Sequence, residues 1–217
     1  MKKQINHIIS ELEAHLPYTI FSVAFGIILL GLLSFISVLL NADNFPKGAG
    51  LLFHVFHPMH MLFSATATTA MFWRHEKKLL KAVVIGFFGA VVVCGVSDIV
   101  IPFIAGTLLG VKMHLHICIL EHPQIILPFL AVGIFTGLIV PKTTKSTIFS
   151  HSTHVFISSM ASILYLISFG LTEWVHHIGA VFIFIILAVI VPCCTSDIIF
   201  PLLFLKDNKK NKSKPVE

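Results

Sequence analysis

Six apolar runs decide what this chain can become. They fall at roughly 17–40, 50–73, 81–106, 122–141, 151–172 and 178–205, each nearly free of charge. A run of about 20 such residues is what an α-helix needs to cross a bilayer. Only 12% of the 217 residues are charged and 56% are hydrophobic, whereas a soluble domain carries about a quarter charged residues. The expected fold is an all-α polytopic membrane protein with six transmembrane helices. The polar stretch Met1–Tyr18 lacks a short apolar core followed by a small-residue cleavage site, so no cleaved leader is expected.

The basic residues sort by side. Lys2, Lys3, Arg74, Lys77, Lys78, Lys81, Lys142, Lys145 and the tail lysines 206, 209, 210, 212 and 214 fall on one side of the six runs, and only Lys47 and Lys112 on the other. By the positive-inside rule both termini face the cytoplasm, with a bacterial plasma (inner) membrane as the expected location. The tail 206–217 reads as a solvated basic anchor, and no nucleic-acid partner is expected.

Within the third and sixth runs a motif is written twice. Cys94-Gly-Val-Ser97-Asp98-Ile-Val-Ile-Pro102 returns as Cys193-Cys194-Thr-Ser196-Asp197-Ile-Ile-Phe-Pro201, 99 residues on. The duplication extends outward. Leu16-Pro17-Tyr18 matches Leu127-Pro128-Phe129, and Gly26 matches Gly137. His57, His60, Ser64, Ala67 and Thr68 match His151, His154, Ser158, Ala161 and Ser162 at a constant offset of 94. Residues 1–110 and 111–205 are therefore read as two copies of a three-span unit. Because three is odd, the second copy enters the membrane from the opposite side, giving a 3+3 inverted-topology repeat of the kind found in secondary transporters. The Gly95, Pro102, Pro192 and Pro201 positions, with Ser-Asp as an N-cap signal, predict that helices three and six break near their aspartates. A structural kink capped by Asp is the alternative.

An ionised carboxylate inside a membrane is costly and is usually retained for function. Partners are available on the second and fifth runs. His57, His60, Ser64 and Thr68, and likewise His151, His154, Ser158 and Ser162, recur at three- and four-residue steps and share one helix face. Such stripes should face the bundle interior, the serines and threonines lining a path. His57, His60 and Asp98 offer two nitrogens and a carboxylate, and His151, His154 and Asp197 the same set, which suits a divalent transition metal. Additional ligands would be Cys94, Cys193, Cys194, Ser97, Ser196 and His54. Participation of the thiols favours Zn or Cu(I); without them Mn or Fe fits. The competing view is that these histidines only pack and hydrogen-bond. Cys118 reads as packing, while His114, His116, Glu121 and His122 could capture metal at an outer entrance or merely decorate the surface.

The expected function is an integral membrane permease for a divalent transition-metal cation (Zn, Mn, Fe or Cu class). The ion is its substrate, and metal competing with imidazole protons supplies proton coupling. No Walker A motif implies nucleotide, no cysteine spacing implies a disulfide framework, and the chain is expected to be a transporter rather than an enzyme. Its partners are the bilayer, the cation and a second copy in a homodimer. Two other classes compete: a redox protein ligating b-type haem through histidines on facing helices, and a membrane-embedded metalloenzyme. Neither HExxH nor an ordered Ser/His/Asp set favours the enzyme.

Overall fold

The computed structural model describes residues 2–41, 45–139 and 147–194. Every element among them is helical and no strand occurs there. Helix α1 spans Lys2–Leu39 and α2 Phe45–His75. Helix α3 (Leu79–Gly95) runs through a π-turn (Val96–Val100) into α4 (Ile101–Leu108). After a loop come the single turn α5 (Cys118–Glu121), then α6 (Pro123–Ile139) and α7 (Thr147–Ser168). A 3-10 turn (Trp174–His177) leads into α8 (Ile178–Cys194).

Three stretches are long and apolar enough to cross a membrane, namely His15–Leu39, the α3–α4 rod Leu79–Leu108, and Trp174–Pro192. They correspond to the expected first, third and sixth spans and mark the chain as a membrane protein. Pro123–Ile139 and Ser152–Ser168 are shorter apolar helices at the expected fourth and fifth positions. Phe21, Phe35, Phe88, Phe135 and Ile183 point away from the protein interior. An outward apolar surface of this kind suits contact with lipid tails.

Helix α2 is built differently. Its 31 residues make a rod of about 46 Å at 1.5 Å per residue, yet His57, His60, Ser64 and Thr68 dilute its apolar character. All four are fully buried, because α3, α6 and α7 pack around α2 and shield its polar stripe from lipid. Small residues bring α2 and α6 together: a Cβ added to Gly137 would stand 2.6 Å from the Thr66 carbonyl oxygen. Gly26 plays a similar part where α1 meets α7, its added Cβ lying 3.1 Å from Met160 Sδ. Close backbone approach at glycines is a common device for pairing helices in membranes.

The expected break of the third span does not occur. Gly95 (φ −60°, ψ −42°), Val96 (φ −68°, ψ −47°) and Val100 (φ −67°, ψ −50°) are all helical, and Ser97 and Asp98 cap nothing. The irregularity is instead a register change, in which the Ile101 N–H reaches back to the Val96 carbonyl. The next donor in that register would be residue 102, but it is a proline and has no N–H. The Ser97 carbonyl is thus left without a backbone partner, and Ser162 Oγ of α7 donates to it at 3.1 Å. Membrane burial demands that each backbone group be paired. One borrowed hydroxyl achieves this at less cost than unwinding the helix. In the sixth span α8 continues through Pro192; Ser196, Asp197 and Pro201 lie outside the described residues.

Candidate functional site

The π-turn presents Asp98 to the polar stripe of α2. Asp98 Oδ2 accepts from His57 Nδ1 at 2.8 Å and from His60 Nδ1 at 2.7 Å. Its other oxygen accepts from Ser97 Oγ, and Ser158 Oγ of α7 stands 3.4 Å away. Asp98, His57, His60, Ser97 and Ser158 are all fully buried. A carboxylate can only accept, so each imidazole carries a proton on Nδ1 and turns Nε2 away from Asp98; in the neutral ring that Nε2 is a lone-pair donor. His57 Nε2 is buried without a partner among the described residues, as are Ser64 Oγ and Thr68 Oγ1 further along the same face. Buried polar atoms are normally paired, so this orphaned stripe is a chemical feature of the interior. Across from it, His154 of α7 brings its ring to 4.8 Å from that of His60, centroid to centroid.

The carboxylate thus lies behind the imidazoles and fixes their tautomer and orientation, an arrangement that raises imidazole basicity in metal sites. Phe53 stacks on the far side of His57, with ring centroids 5.2 Å apart and planes 12° off parallel.

A second group of histidines lies one turn along α2. His54 Nδ1–H donates to the Gly50 carbonyl at 2.7 Å, leaving His54 Nε2 to face His116 Nε2 at 3.2 Å. His116 Nδ1 is held by Glu121 Oε2 at 2.9 Å. His122 completes a trio whose ligand atoms all lie within 4.8 Å of one another. Burial holds the His116 imidazole below its ordinary pKa against the pull of Glu121, which favours the neutral form needed for ligation. Burial, with the Glu121 and Asp98 charges, pushes the neighbouring Cys118 thiol up to about 12.

The loop bearing His116 is positioned by α7. Tyr165 Oη accepts from the His116 backbone N–H at 3.1 Å and donates to the His114 carbonyl at 3.2 Å. The His116 ring stacks on Phe169 at 4.7 Å. Neither Tyr165 nor Phe169 stood out in the sequence, although a signal was there. The α7 stripe 154, 158, 162 continues one three-residue step further to 165, one of only two tyrosines.

Of the residues singled out from the sequence, His57, His60, Asp98, Ser97, Ser158 and Ser162 are brought together, with His154 beside His60. His54 belongs to the second group. Cys94 is buried within α3, and Ser64 and Thr68 line α2. His151, Cys193 and Cys194 lie on described helices, but their side chains fall outside the described residues, as do Ser196 and Asp197 entirely.

No protein-family model matches the chain, and no characterised protein or solved structure is detectably similar to it. Its chemistry has to be read from the residues. The apolar helices and the histidine trio fit a membrane metal-binding protein.

Proposed function

We propose that the chain is a permease for a divalent transition-metal cation, with His57 and His60 as transit ligands and Asp98 as the charge behind them. The observation that carries this reading is the orphaned His57 Nε2. That nitrogen is turned away from the buried carboxylate, and among the described residues no protein group pairs with it. A cation arriving on the Nε2 edges would meet soft nitrogen donors and the negative charge of Asp98 together. His54, His57 and His60 form a ladder along one face of α2, each one step beyond the last, as a pathway requires. Displacement of imidazole protons by the metal would couple its movement to a pH gradient.

Packing supports the inverted repeat that this reading assumes. Exchange α1 with α6, α2 with α7 and α3 with α8, and each packed pair becomes another packed pair. The α2–α6 contact becomes α7–α1, α2–α3 becomes α7–α8, and α1–α8 becomes α6–α3. The glycine seams obey the same exchange: Gly137 meets Thr66 and Thr69, and Gly26 meets Met160 and Ile163, each 94 positions on. The haem alternative gains no support, because the facing His60 and His154 rings stand 4.8 Å apart, too close to grip a flat macrocycle between them.

Proteoliposomes loaded with a metal-sensing dye test the proposal by external addition of Zn2+, Mn2+ or Co2+ with and without a pH gradient. At least one ion should enter, and Asp98→Asn should slow it about 10–100-fold, the usual effect of removing a group that orients metal ligands. Equal flux through a well-inserted Asp98→Asn chain, or no flux of any of the three ions, would overturn it.

A further inference from the structure

The histidine trio around His54 has a geometry that the Asp98 centre lacks. Its members come from separate segments: His54 from α2, His116 from the loop after α4, and His122 from the junction of α5 and α6. Their ring centroids form a nearly regular triangle, with sides of 5.1, 5.1 and 5.6 Å. Two of the three rings have their Nδ1 committed, His54 to the Gly50 carbonyl and His116 to Glu121. With both rings in the neutral form that metal ligation needs, their Nε2 atoms face each other with a lone pair on each and no hydrogen between them. Two lone pairs at 3.2 Å repel unless a cation sits against both.

The distances name the cation. With Zn–N bonds of 2.0–2.1 Å, two nitrogens of a tetrahedral site stand about 3.3–3.4 Å apart, close to the separation seen. Cys118 Sγ lies 3.5 Å from His116 Nε2, but it stands outside the set whose ligand atoms all lie within 4.8 Å of one another.

We propose that His54, His116 and His122 hold a Zn2+-class ion, separate from the Asp98 centre. The ion ties the loop and the α5–α6 junction to α2. Three protein nitrogens leave the fourth tetrahedral position to water or another small ligand. The site stands independently of transport, since it would hold its ion whether or not the Asp98 centre passes one.

The test uses the full-length chain in detergent, stripped of metal and titrated with Co2+, which reports coordination by colour. Intense visible bands of tetrahedral Co2+ are expected, bleached by one equivalent of Zn2+. His122→Ala and His54→Gln should each lose these bands. Asp98→Asn should keep them, which separates this site from the Asp98 centre. Weak octahedral bands only, or tetrahedral bands that persist in His54→Gln or disappear in Asp98→Asn, would overturn the assignment. Should His122→Ala fail to purify as a monodisperse protein, the His54→Gln spectrum decides.

Discussion

Ser162 holds together the two elements on which the Asp98 centre depends. Its hydroxyl is shared between the Ser97 carbonyl at 3.1 Å and its own Ser158 carbonyl at 2.9 Å. Ser162→Ala leaves a buried carbonyl at the π-turn unpaired, at a cost of about 1–3 kcal/mol. The thermal midpoint in detergent should fall, and Ser162→Thr, which keeps the hydroxyl, should recover most of it. An unchanged midpoint in Ser162→Ala would mean that the π-turn does not depend on the Ser162 hydroxyl. At this scale the sequence was informative where periodicity speaks. Residues three and four apart on α2 had to share a face, and a buried carboxylate had to find donors, so the meeting of His57, His60 and Asp98 was legible. The anchoring of His116 by Tyr165 was not. It depends on a loop whose course is fixed by contacts to a helix some fifty positions away, which no local pattern encodes. Cys118, read from its apolar neighbours as packing, is buried and meets His116 of that loop at 3.5 Å.

Among the helices, the glycine seams carry different tolerances. A Cβ on Gly137 would meet the Thr66 backbone oxygen at 2.6 Å, whereas one on Gly26 would meet the flexible end of Met160 at 3.1 Å. Backbone cannot yield without parting α2 from α6, while a thioether can swing aside. Gly137→Ala should therefore destabilise the protein by about 1–3 kcal/mol, the usual penalty of overpacking, and Gly26→Ala by clearly less. Thermal denaturation of the two variants side by side measures the difference; equal shifts would contradict it. The boundaries of these helices were largely readable from hydropathy, because the solvent that selects them is the bilayer. The conformation of the Ser97–Asp98 segment was misread for a physical reason. Gly and Pro signals calibrated on water-exposed helices predict a break, but in an apolar interior a freed carbonyl is dearer, and a π-turn with a borrowed hydroxyl is the cheaper answer.

For the whole molecule the distribution of charge makes a topological claim. Thirteen Lys and Arg residues lie on one side of the predicted spans, and only Lys47 and Lys112 on the other. Lys77 and Lys112 are both exposed. A cysteine placed at Lys112 should react with a membrane-impermeant maleimide on intact cells, and one at Lys77 only after the cells are opened, each above the background of the unmodified chain. The reverse pattern would invert the orientation, and labelling of both from outside would break the six-span scheme.

The wide turn at Val96–Val100 also has a bearing on length. A π-turn absorbs one residue more than an α-turn while the helix on either side keeps its phase. Val100 lies on the outer surface, so a chain lacking it can close that turn into ordinary α-helix with Pro102, Ala105 and Gly106 still packed inward. It should fold and insert and, on the proposed transport reading, fail to move metal in the proteoliposome assay, since the carboxylate would no longer be offered at the same angle to His57 and His60. Removing Val92, equally exposed on α3, has no such slack to draw on. Everything beyond it turns by about 100° and shifts by about 1.5 Å, which swings Asp98 out of the bundle. The rod should therefore tolerate a deletion at one place along its length, and that place is the turn that carries Asp98.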